Sequence, residues 1–201
     1  YQNDRSPYEL RSLIKTWKNR LPIVADDLSH WSDIFTWRQH HYQMIVSRFE
    51  QENKLQQQQG NQPSQAASSN ILCGAHASAQ SLIHLAKVAR KHFLMNVSLD
   101  QLNRIHTIPK VPIIDCFQKI RQQLKCNLLK HSMQPTGEEL QEAMSVIDCT
   151  HLHFFNNEMI AEIIAIKGFV LMKMDRMDEA NKNFSASLQI SDTVVKSWAM
   201  W

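Results

Sequence analysis

The sequence has only four glycines, Gly60, Gly74, Gly137 and Gly168, and no two of them are close together. A loop that cradles phosphates needs clustered glycines, so neither a G-x-x-x-x-G-K nor a G-x-G-x-x-G signature can be drawn on this chain. The same shortage, with six prolines, leaves little material for the many tight turns of an all-β fold. Cysteine is sparse as well. Cys73, Cys116, Cys126 and Cys149 form no C-x-x-C pair, which reads as buried free thiols in a reducing compartment. There is no apolar run long enough to span a membrane and no signal-peptide pattern. The net charge is only +3, with Lys and Arg spread through the chain. A nucleic-acid binder shows a stronger, more concentrated basic footprint, so direct nucleic-acid contact is not expected.

Catalytic signatures are missing too. The chain has no G-x-S-x-G, H-R-D, D-F-G or H-E-x-x-H. Ten histidines invite a metal reading. The best cluster is Cys149-Thr150-His151-Leu152-His153 with His131 upstream, and it lacks a second ligand pair at zinc spacing. His40-His41, beside Trp37 and Tyr42, reads as packing and its rim. The Asp26-Asp27 pair reads as charge favoured at a helix N-terminus, not as a carboxylate dyad. No catalytic, cofactor-binding or metal-binding residue is assigned, no cofactor is expected, and the chain reads as non-enzymatic.

What the sequence does hold is helix. Hydrophobic residues make up 43% of it, which argues against wholesale disorder. Gln, Leu, Met, Ala and Lys are plentiful, and they lose little side-chain freedom in a helix. Ser6-Pro7-Tyr8-Glu9 forms a helix start, and Leu10, Leu13, Ile14 and Trp17 recur behind it until Leu21-Pro22. A long second helix opens near Asp27 or Ser29. Trp31, Ile34, Phe35, Tyr42, Ile45, Val46 and Phe49 trace one face, while Trp37, His41 and Met44 trace another. Two apolar faces imply neighbours on both sides.

Gln56 to Asn70 is Gln-, Ser- and Ala-rich and reads as a disordered surface loop, with the preceding helix free to run on as far as the glutamines. The helical pattern resumes at Ile71, with Ala75, Ala79, Leu82, Ile83, Ala86 and Ala89 forming a small-residue stripe. Ser98-Leu99-Asp100-Gln101 reads as a capping box for a short helix through Ile105. Pro112 opens a helix with Ile113, Phe117, Ile120, Leu124 and Leu128 on one face. Thr136-Gly137-Glu138-Glu139 caps the next, with Leu140, Ala143, Met144 and Ile147 inward. Asn157 is the expected cap of a helix from Met159 to Met174, and two more follow, Asp178 to Gln189 and Thr193 onward. The expected division is an N-terminal hairpin over 1–55, the loop over 56–70, and hairpin repeats over 71–201 with the last one truncated.

The C-terminal third carries a repeat signal. The tetratricopeptide repeat is a helix pair of about 34 residues with a large residue, Gly, an aromatic, Ala and Phe at fixed offsets. With Gly168 on the glycine, Ile164, Leu171, Ala180, Phe184 and Ser187 take the other positions. Gly168 and Ala180 are expected where the two helices cross, and Phe184 between one pair and the next. Trp198 stands about one 34-residue period after Ile164, with Trp201 three residues on, as though a further repeat begins there. The chain opens on Tyr1 instead of Met, so a longer parent protein is expected on both sides.

Leu21 to Tyr42, Arg104 to Pro109, Val111 to Gln123 and Lys196 to Trp201 resemble the FAT region of the TRRAP family. The resemblance covers nearly the whole chain. It implies an all-α α-solenoid of tetratricopeptide-like hairpins wrapping a kinase-like domain that, in this family, lacks its catalytic residues. It also implies a nuclear scaffold of histone acetyltransferase complexes of the SAGA and NuA4 types, supporting activator-dependent transcription. The implied partners are subunits of those complexes, transcription activators, adjacent repeats and the kinase-like domain. The alternative is a FAT segment of an active PI3-kinase-related kinase, which would need metal-binding and catalytic-loop acids downstream. A free-standing peptide-binding repeat protein would need a polar end cap, and a DNA binder would need steep salt dependence.

Overall fold

The computed structural model describes residues 6–58 and 65–193. These residues are all-α: eight α-helices and two short 3-10 turns, with no strand among them. They fall into two compact units, Tyr1–Asp115 and Cys116–Trp201.

In the first unit, α1 (Ser6–Asn19) ends ahead of Leu21-Pro22, where the residue preceding proline is pushed out of the helical region. The turn that follows is held reciprocally, since Ile23 N donates to Asp26 Oδ2 and Asp26 N to Ile23 O, both at 2.9 Å. Asp27 Oδ1 then accepts the amide of Ser29 at 2.8 Å and starts α2 (Leu28–Gln58). Asp26 and Asp27 are thus turn and cap residues, as their sequence context indicates. One face of α2 buries Trp31, Phe35, Arg38, Gln39, Tyr42 and Val46.

That face meets α3 (Gln65–Lys91), whose Ala75, Ala79, Leu82, Ile83, Ala86 and Ala89 are all buried. The small residues let the two backbones approach. A Cβ placed on Gly74 would stand 2.7 Å from Val46 Cγ2, so only glycine fits without a shift. Trp31 and Phe35 pack on Leu85 and Val88. A second cluster joins Ala79, Leu82, Ile83 and Ala86 to Leu102 and Ile105, carried by α4 (Met95–Asn103) and the 3-10 turn Arg104–Thr107.

The second unit holds most of α5 (Ile113–Met133), then α6 (Glu138–Asp148), the 3-10 turn Leu152–Phe154, α7 (Asn157–Lys173) and α8 (Met177–Ile190). Its core is Phe117 and Leu124 of α5, Leu140, Ala143 and Ile147 of α6, and Ile163, Ile166 and Val170 of α7. Thr136 and Glu139 close the start of α6 as expected, Thr136 Oγ1 donating to Glu139 Oε1 at 2.9 Å. The α7–α8 hairpin crosses at Gly168, where a Cβ would meet Phe184 Cε1 at 2.9 Å and the Ala180 carbonyl at 3.2 Å. At the other end of the pair, the buried Ser187 hydroxyl donates to the Ala161 carbonyl at 2.7 Å.

Several sequence expectations need correction. The polar stretch 56–70 is not wholly loop: α2 runs through Gln58, α3 begins at Gln65, and Asn70 is buried. Gln and Ala tolerate helix, and packing of α3 on α2 extends both helices past the point where apolar periodicity stops. The chief partner of α2 is α3, so a boundary at that stretch cuts a packed pair. The Ser98 box does not open a helix. α4 already begins at Met95, and the buried Ser98 hydroxyl donates across to the Ala86 carbonyl of α3 at 2.8 Å. Asn156, not Asn157, caps α7, its Oδ1 accepting from Met159 N at 2.9 Å. Ile113 is exposed, unlike the rest of its expected face. Phe184 lies on Gly168 of its own hairpin, and the following pair, on which the repeat pattern also places it, lies outside the described residues. The expected last helix and truncated repeat, with Trp198 and Trp201, lie outside the described residues.

Candidate interaction surface

The first unit carries an open groove between α1, α2 and α3. Its cavity of about 90 Å³ is lined by Ile14, Leu21, Phe35, Arg38, Tyr42, His76, Ala77, Gln80, Ser81 and His84. The helical period explains the set. Trp31, Phe35, Arg38 and Tyr42 follow one another at three- or four-residue steps on α2, so they share a face. Ala77, Ser81 and His84 do the same on α3.

Arg38 is the unusual member, at 6% exposure. Its Nη2 donates to the Arg20 carbonyl just past the end of α1, where a cation complements the helix terminus. Its guanidinium carbon lies 5.6 Å from the Phe35 ring centroid, within cation–π range. Burial pushes the Arg38 pKa down, with Tyr42 pulling the other way. Burial likewise raises the pKa of the Tyr42 hydroxyl, against smaller opposing effects of Arg38 and of a hydrogen bond with Ser81. Beside Arg38, the amide nitrogen of Gln39 donates to Ser78 Oγ, tying α2 to α3.

Behind the groove wall is Asp115, a carboxylate with no exposed surface. One oxygen lies 2.7 Å from His76 Nδ1, and the other accepts from Gln80 Nε2 at 2.6 Å. Both oxygens are occupied, so the buried charge is hydrogen-bonded as such charges must be. Sequence reading missed this set. His76 and Gln80 are 39 and 35 residues from Asp115, and nothing local marks them as partners. Arg38 was visible in principle as a cation on the Trp31–Phe35–Tyr42 stripe.

Next to the groove lies an aromatic ledge. Trp17 of α1 stands 5.5 Å from Tyr42, 5.0 Å from Trp37 and 5.9 Å from His41, centroid to centroid. Trp37 therefore packs on a neighbouring helix, as its position on the second face of α2 suggests. That face is still largely open, with Trp37 at 53% and Met44 at 57% exposure. In the second unit the His153 ring meets those of His151 and Phe154 in tilted contacts. Cys149 beside them is exposed. Among the described residues no three His, Cys, Asp or Glu side chains converge on one point as a metal would require.

Surfaces of this kind, helical hairpins with an open aromatic face and a polar-floored groove, suit protein contact. The FAT domain family matches residues 1–201. The chain is 50% identical over 198 residues to the Transformation/transcription domain-associated protein of Mus musculus, covering 98% of this chain and 7% of that protein. It is similarly 50% identical over 198 residues to Transcription-associated protein 1 of Drosophila melanogaster, covering 98% of this chain and 5% of that protein. A Saccharomyces cerevisiae protein named as a subunit of the SAGA and NuA4 acetyltransferase complexes is 33% identical over 198 residues, again 98% of this chain and 5% of the relative. The chain thus spans only a small part of the length of these curated relatives.

Proposed function

We infer the function from one premise: the chain belongs to the FAT domain family. On that premise it is a non-catalytic scaffold segment of a TRRAP-like cofactor of histone acetyltransferase complexes, of the SAGA and NuA4 types. It supports activator-dependent transcription from within the nucleus. Its hairpins serve as repeats of an α-solenoid, and its partners are acetyltransferase-complex subunits, transcription activators, neighbouring repeats and a kinase-like domain of the same parent.

The observation that carries this reading is the 50% identity to transcription-associated relatives along 98% of the chain. Identity at that level over nearly the whole chain is more than a shared helical pattern would require. The physical support is the architecture. The described residues form two tightly packed hairpins, α2–α3 and α7–α8, and the sequence has no clustered glycines to cradle a phosphate. Repeat arrays of such pairs draw their stability from neighbour-to-neighbour contacts, which suits a scaffold.

A segment exchange tests it. The corresponding segment of the Saccharomyces cerevisiae relative is replaced by residues 1–201 and the cells are assayed for growth and acetyltransferase-complex assembly. The expected result is an assembled complex and restored growth, against failure with a sequence-shuffled segment. Restoration by the shuffled segment, or exclusion of the exchanged protein from the complex while it remains folded, would count against the reading.

A further inference from the structure

We propose that the groove between α1, α2 and α3 is a docking site for an acidic side chain, presented between apolar residues by a segment of another protein, with Arg38 as its counter-charge. The inference stands apart from the scaffold reading, because it rests on one side chain and its surroundings and not on which complex holds the chain.

A buried cation without a carboxylate is costly, and folded proteins normally pair one. Arg38 is more than nine-tenths buried, and among the described residues its charge meets a backbone carbonyl and the face of Phe35. Guanidinium carries five N–H donors in a planar fork suited to a carboxylate. One hydrogen bond to Arg20 leaves most of that fork uncommitted. The fork lines an open cavity, and among the described residues its wall includes no Asp or Glu. Asp115, behind that wall, is already held by His76 and Gln80.

Size and polarity narrow the occupant. A cavity of about 90 Å³ has room for several waters. That admits the tip of a Glu or Asp side chain. Tyr42 and Ser81 supply hydroxyls next to Arg38, while Ile14, Leu21 and Phe35 supply an apolar rim. A carboxylate flanked by leucine-like residues satisfies both parts. Entry of the acid would pair the Arg38 guanidinium with a carboxylate in a partly desolvated groove, the kind of contact whose loss from one side is strongly felt at interfaces.

The test uses the full 201-residue chain and two fluorescein-labelled peptides, acetyl-Leu-Ala-Glu-Leu-Leu-amide and the same peptide with Gln for Glu, read by fluorescence anisotropy. The expected result is binding of the Glu peptide at least about tenfold tighter than the Gln peptide, a difference of 1.4 kcal/mol. In Arg38→Met the two peptides should bind alike while the helical circular dichroism is kept. Ala77→Leu, which fills the cavity and leaves Arg38 in place, should weaken the Glu peptide by a similar factor, and it decides the matter if Arg38→Met does not fold. Equal binding of the two peptides to the unaltered chain, binding of neither, or a Glu preference that survives Arg38→Met overturns the proposal. A thermal midpoint that falls in Arg38→Met with peptide discrimination intact would make Arg38 a cap of α1 and nothing more.

Discussion

Gly168 and Phe184 are in such close contact that a single added methyl on the glycine would come within 2.9 Å of the ring. The crossing of α7 and α8 is set by this pair. Gly168→Ala gains helix propensity of about 1 kcal/mol, but it forces the ring outward and crowds the Ala180 carbonyl at 3.2 Å. Overpacking of this kind costs about 1–3 kcal/mol, so a net loss of about 1 kcal/mol is expected in chemical denaturation. In a Phe184→Ala background the clash with the ring is gone, and Gly168→Ala should become neutral or stabilising. Equal effects in both backgrounds would show that the ring does not set the crossing.

Trp31 and Phe35 are buried to 1% and 4% exposure and stack 5.7 Å apart. Trp31→Ala or Phe35→Ala should each cost about 3–5 kcal/mol. For Trp31 the loss includes its indole N–H bond to the Ile23 carbonyl at 3.1 Å. Trp37→Ala, on the same helix but half-exposed, should cost about 1 kcal/mol or less. Urea titration of the three variants checks the order, and a Trp37→Ala cost matching that of Trp31→Ala would place the ledge in the core.

Ser98 separates two roles by its substitutions. At an N-cap, Ser→Asp is tolerated because both accept from the helix amides. Here the hydroxyl is a buried donor to the Ala86 carbonyl. Ser98→Ala should cost about 1 kcal/mol, and Ser98→Asp should cost about 3 kcal/mol or more, because a buried unpaired carboxylate faces a carbonyl. A stable Ser98→Asp protein would return Ser98 to the capping role.

Asp27 gives the chain a pH-dependent component of stability. The backbone hydrogen bond from Ser29, then a side-chain bond from the same residue, hold its carboxyl below the ordinary Asp range. A depressed folded-state pKa means the contribution is full above the unfolded-state value of about 3.9 and is lost as pH falls through the lower folded-state value. Asp27→Asn should therefore flatten the acid limb of a thermal-midpoint profile below about pH 4 and change the neutral region little. An unchanged acid limb would mean that Asp27 does not cap α2.

The readable parts of the fold were those set by short-range periodicity. The α3 stripe from Ala75 to Ala89, the Trp31–Phe35–Tyr42 face and the Thr136–Glu139 cap all follow from spacing within a few residues. What spacing could not carry was long-range partnership. Ser98 answers to Ala86 on another helix, and Asp115 to His76 and Gln80 more than thirty residues away. The polar stretch misled for a related reason. Gln57, Gln58 and Ser68 have no apolar periodicity of their own, and their helices extend there because α2 and α3 pack together further along. Adjacent Asn156 and Asn157 differ only in backbone geometry, which residue type does not reveal.

The most direct measurement is affinity purification of the tagged parent protein from its own cells, with the eluate assayed in parallel for histone acetylation and for protein phosphorylation. The expected result is acetyltransferase subunits in stoichiometric amount, histone acetylation by the eluate, and no phosphorylation attributable to the tagged chain. Kinase activity that stays with the tagged chain through a high-salt wash, without acetyltransferase subunits, would contradict the assignment.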